Sequence, residues 1–124
     1  MKQSLIGLLL FAGLPLAAHH SFDAEYDSSK SVTLTGVVTK VDWINPHGFI
    51  YINVEEKGGV RNYAIELGPP YALTRGGWKR DTVKYGDTVT VMNGAPAKDS
   101  ASNRVGATRE TFLQLSTGEK MVLR

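Results

Sequence analysis

The sequence predicts a small all-β domain, an OB-like Greek-key barrel of five or six strands with one short helix, preceded by a cleaved signal peptide. Three observations carry that prediction. Short β-branched and aromatic runs alternate with Gly, Asn, Asp and Pro from Val32 onward. One brief helical stretch, Tyr71 to Arg75, falls between the third and fourth of these runs. The amino terminus is ordered as charge, apolar run and helix breaker. An SH3-like barrel is the alternative arrangement of the same elements.

At that terminus Lys2 precedes the apolar run Leu5 to Leu14, and Pro15 follows. The run is too short for a spanning helix, which needs about 20 apolar residues, and suits a signal peptide. Cleavage is expected after Ala18, with Ala17 as the rival position. The expected organisation is therefore a signal peptide at 1–18, an extended N-terminal segment at 19–31 and the barrel domain at 32–124. The chain contains no Cys, so neither lipid attachment through an N-terminal Cys nor a disulfide framework is available. A periplasmic or secreted protein with no membrane span in its mature form follows. The formal net charge of +2 falls to +1 once Lys2 is lost, and no run of Lys or Arg tracks a phosphate backbone. Nucleic acid is not expected as a partner.

The first strand reads from Val32 to Trp43, and its apolar phase shifts across Gly36, which suggests a glycine bulge. Ile50, Ile52 and Val54 then alternate with Phe49, Tyr51 and Asn53, giving one core face. Lys57-Gly58-Gly59 turns the chain into a strand from Val60 to Leu67, and a three-residue turn would set Ile50 opposite Glu66. Gly68-Pro69-Pro70 ends this hairpin ahead of the short helix. Thr88 to Met92 forms the next strand, Asn93 to Gly106 reads as a long mobile loop, and Thr111 to Leu115 with Lys120 to Leu123 makes a last hairpin.

Four segments carry a resemblance: His19-His20-Ser21-Phe22, Val41 to His47 with its Asn45-Pro46-His47 corner, Gly68 to Trp78, and Pro96 to Asp99. In these the mature chain resembles an uncharacterised family of small exported bacterial proteins, a domain of unknown function with a His-His-Ser-Phe start and an Asn-Pro-His corner. The resemblance implies export, one compact domain and an interest in the His positions, but no established activity. Gly48 stands where the family pattern suggests a small residue with a side chain.

All three His residues, His19, His20 and His47, fall within those motifs. After cleavage at Ala18, the free amine and the imidazole of His19 can chelate one metal ion together, both neutral near pH 7. A third nitrogen from His47 or His20 completes an arrangement that suits Cu(II), which also stands at the top of the divalent affinity order. A copper ion is therefore the expected cofactor, with His19, His47, His20 and Glu66 as the candidate metal residues. Glu66 enters as an axial ligand or as an acceptor for an imidazole N–H. Asp23 and Asp27 are further oxygen donors of lower rank. Trp43 and Trp78 read as barrel core, whereas Phe49, Tyr51 and Tyr63 could form an aromatic binding face on the hairpin. No nucleophile elbow or phosphate loop is present, so no catalytic residue is assigned. The expected role is an exported metal carrier, buffer or accessory protein. The alternative is a metal-free OB-like binding module for an envelope protein partner or a small envelope ligand.

Overall fold

The β-branched runs form seven strands among residues 21–124, the part of the chain that the computed structural model describes. The predicted signal peptide, His19 and His20 lie outside these described residues. The strands are β1 (Val32–Asp42), β2 (Phe49–Glu56), β3 (Gly59–Glu66), β4 (Thr88–Pro96), β5 (Arg104–Gly106), β6 (Phe112–Leu115) and β7 (Lys120–Val122). They pair in the order β1-β2-β3-β5-β4-β6-β7, and β1 also pairs with β4, so the first five close on themselves. The β3–β5 pair is parallel, and the short helix Pro70–Arg75 lies between β3 and β4. This is the OB connectivity rather than the SH3-like one. The β6–β7 hairpin extends the sheet beyond β4.

A strand shared by two neighbours must coil, and β1 does so through two irregularities. One lies between Val38 and Lys40 against β2, the other between Val32 and Leu34 against β4. The bulge is thus not at Gly36, whose role is close approach. A Cβ there would stand 2.4 Å from the backbone oxygen of Asn53. Ile50, Ile52, Ile65, Val38, Val91 and Leu113 are fully buried inside the barrel. Trp78 closes one end, its indole Nε1 donating to the Val122 carbonyl at 2.8 Å and its ring 6.4 Å from that of Trp43.

Three local expectations are corrected. The hairpin turn has two residues, Lys57 and Gly58, so Phe49 stands opposite Glu66 and Ile50 opposite Ile65. This register keeps Ile50 and Ile65 on the core face and Glu66 on the other, whereas a one-residue slip would reverse the faces. The stretch Asn93 to Gly106 is not one loop: β4 continues through Pro96, β5 emerges at Arg104, and the connection shrinks to 97–103. The segment before β1 is neither wholly extended nor free. Residues 21–25 are helical, and Tyr26 forms a β-bridge with Ala97. Asp27 N donates to Pro96 O at 2.9 Å, and Lys98 N donates to Glu25 O at 2.9 Å. Tyr26 is only 1 % exposed.

Among the described residues no helix is long and apolar enough to cross a membrane.

Candidate metal centre

The N-terminal strap, residues 21–27, docks where the barrel surface recedes at Gly106. A Cβ on Gly106 would meet the Phe22 ring at 2.7 Å and the Tyr26 ring at 2.8 Å. The two rings pack at a centroid distance of 4.8 Å, and the Arg124 guanidinium sits 5.4 Å over Phe22. Between this strap and the Asn45-Pro46-His47 corner lies a cleft of about 520 Å³. Ser21, Phe22, His47, Glu66, Leu67 and Arg124 are among its walls.

Glu66, at the end of β3, is the hub of the cleft. Its Oε1 lies 2.7 Å from His47 Nδ1, while its Oε2 accepts from the Tyr26 hydroxyl at 2.5 Å and from Arg104 Nη2 at 3.2 Å. Arg104 Nε also stands 2.9 Å from Glu25 Oε1. That second contact is an ion pair by distance but lacks the alignment of a hydrogen bond, which leaves Nε without a hydrogen-bond partner. The Arg104 guanidinium lies 5.2 Å over the Phe49 ring, so the residue paired with Glu66 in the ladder also supports its counter-charge. Burial raises the Tyr26 hydroxyl above the ordinary tyrosine value, and the hydrogen bond to the Glu66 carboxylate raises it further.

Of the four residues expected to hold a metal, the structure brings His47 and Glu66 together, while His19 and His20 lie outside the described residues. Ser21, the residue next to His20 in the chain, lines the same cleft as His47. His47 is half exposed, and its Nε2 makes no hydrogen bond among the described residues. Within those residues no three His, Cys, Asp or Glu side chains converge in a way that could hold a metal ion. Of the expected set, His47 and Glu66 are thus the pair that meets among the described residues, at 2.7 Å. Asp27 is committed to its own turn. The Ser29 hydroxyl, foremost, lowers its pKa, helped by the Ser29 N–H and Lys30.

The aromatic trio is not a single face. Tyr63 pairs with buried Ile52 and packs against the core, whereas Phe49 and Tyr51 lie on the other face with centroids 6.2 Å apart. Sequence reasoning missed Tyr26 and Arg104. Their only sequence signals were an aromatic residue in a polar segment and one base in a Gly/Ala/Ser-rich stretch.

A family model of unknown function, DUF6152, matches residues 8–108, most of the chain. The chain belongs to this family. The match contains all five barrel strands, the strap, the His47 corner and Glu66, and it ends before β6. No curated protein matches the chain, and no solved structure matches it.

Proposed function

We propose that this DUF6152 protein is an exported copper carrier, buffer or accessory protein that holds Cu(II) at its mature N-terminus. His19 supplies its amine and imidazole, and His47 supplies the third nitrogen. One observation supports the reading above all: Ser21, one residue from His20 and two from His19, lines the cleft that contains His47 and Glu66. Chain geometry limits the Cα atoms of His20 and His19 to at most about 4 Å and about 7 Å from that of Ser21. Glu66 faces Nδ1, where a carboxylate favours the tautomer that leaves Nε2 for a metal. Tyr26 and Arg104 hold the carboxylate in place, so the docked strap and the His47 support share one hub.

Competitive copper titration of the natively exported protein tests the reading. A form with one extra residue before His19 and the His47→Ala variant should each bind at least tenfold more weakly, about 1.4 kcal/mol. Unchanged affinity in the extended form would remove the N-terminal amine from the site, and unchanged affinity in His47→Ala would remove the cleft.

A further inference from the structure

The other end of the barrel holds a second cleft, of about 350 Å³, whose lining the copper reading does not use apart from Arg104. Val32 and Trp43 mark opposite ends of β1, and Trp78 packs against Trp43, so this cleft lies at the end of the barrel that Trp78 does not plug. Its floor is apolar: Val32, Leu34, Tyr63 and Val105 continue the barrel core. Its rim is basic, with Lys30, Arg61, Lys98 and Arg104 against Asp27 and Asp99.

Arg61 is the unusual member. It pairs with Val54, a buried core residue, and directly opposed residues share a face, so Arg61 belongs to the row of Tyr63 and Ile65 rather than to the solvent row. Its guanidinium stacks 5.0 Å over Tyr63, and its Nη2 donates to Ser102 O at 2.8 Å. No carboxylate forms a salt bridge with Arg61 among the described residues, where its neighbours are the Ser102 carbonyl and the Tyr63 side chain. The other charges are committed. Lys30 pairs with Asp27 at 3.3 Å, Lys98 donates to the Asp23 carbonyl, Arg104 serves Glu66 and Glu25, and Asp99 accepts from Ala101 N.

We propose that this mouth binds a small amphiphilic carboxylate. The acid group is held by the Arg61 N–H groups that Ser102 O does not take, and the hydrocarbon body lies on Val32, Leu34 and Val105. An arginine presents several donors in a fixed fork that matches a carboxylate, and an apolar pocket with few convergent polar groups is the usual form of a small-ligand site. With Lys30 paired to Asp27 and Arg104 to Glu66 and Glu25, the cations Arg61 and Lys98 face the single carboxylate of Asp99, which favours an anion, and the small volume limits the body to a medium-length chain.

Decanoate is the probe, with decanol of equal chain length as its uncharged control, titrated calorimetrically into the exported protein in the presence of a chelator. Saturable decanoate binding is expected, at least tenfold weaker for decanol and at least tenfold weaker for Arg61→Gln. The methyl resonances of Val32, Leu34 and Val105 should shift on binding. No saturable binding, equal affinity for decanol, undiminished binding by a folded Arg61→Gln, or shifts confined to the Leu67 side of the His47 cleft would each overturn the proposal. If circular dichroism shows Arg61→Gln unfolded, Arg61 serves as a structural plug, and the wild-type decanol comparison and methyl shifts decide whether the mouth binds at all.

Discussion

Replacing Tyr26 with Phe removes one hydroxyl from the hub of the strap and leaves the buried ring in place. That hydroxyl donates to the Glu66 carboxylate at 2.5 Å from a residue that is 1 % exposed. Hydrogen bonds to charged groups contribute about 1.5–3 kcal/mol. Glu66 keeps Arg104 and His47 as partners in the variant, so the lower part of that range applies, about 1.5–2 kcal/mol. For a domain near 100 residues this corresponds to a Tm lowered by roughly 6–16 °C. The effect also carries a pH signature. Burial and then Glu66 raise the folded pKa of Tyr26, so the native state holds this proton more tightly than the unfolded chain. The stability it contributes is intact below about pH 10, the unfolded tyrosine value, and is lost as pH rises above it, by up to about 1.4 kcal/mol per pH unit. The Tyr63 hydroxyl, also raised by burial and Glu56, remains in the variant, so the difference between the two proteins isolates Tyr26. Urea unfolding followed by circular dichroism from pH 8 to pH 11 should show a gap that narrows above pH 10. A Tm within about 2 °C of wild type, or parallel stability curves across that range, would refute the assignment of Tyr26 as the strap's anchor.

Two backbone approaches make further predictions. Gly106→Ala puts a methyl group within 2.8 Å of the Phe22 and Tyr26 rings, so it should cost about 1–3 kcal/mol and speed tryptic cleavage after Lys30 as the strap lifts. Unchanged cleavage would mean that the strap does not rest there. Gly36→Ala drives a methyl group against the backbone of Asn53, which cannot rotate away, and should lower the urea midpoint by a comparable or larger amount at an unchanged slope.

The strands with strong alternation were legible in the sequence because Ile50, Ile52 and Val54, or Val89 and Val91, show a period of two over several residues. The helix was legible between Pro69 and Gly76, where a proline opens and a glycine closes it. The strand β5 was not, since three residues are too few to show a period and its parallel partner β3 lies some 40 residues away. The hairpin register depended on whether Gly59 belonged to the turn or the ladder. With a φ of +119° it takes the last ladder position, a distinction the Lys57-Gly58-Gly59 string does not record. The pairing of His47 with Glu66 was anticipated through proximity along the hairpin. The hub itself was hidden, because Tyr26, Glu66 and Arg104 meet only after the barrel closes and the strap docks. Local composition reports propensity, and long-range burial decides which aromatic and which base become structural.

The central claim is a copper site that needs both the new N-terminus and the folded cleft. Electron paramagnetic resonance of Cu(II) added to the chain beginning at His19, to its His47→Ala variant and to a peptide of residues 19–27 tests it most directly. The account predicts a nitrogen-ligated spectrum for the protein that changes in His47→Ala and that the peptide does not reproduce. A peptide spectrum and affinity equal to those of the whole protein would contradict it, and would assign the copper to the amine, a backbone amide and the His20 imidazole without any contribution from the barrel.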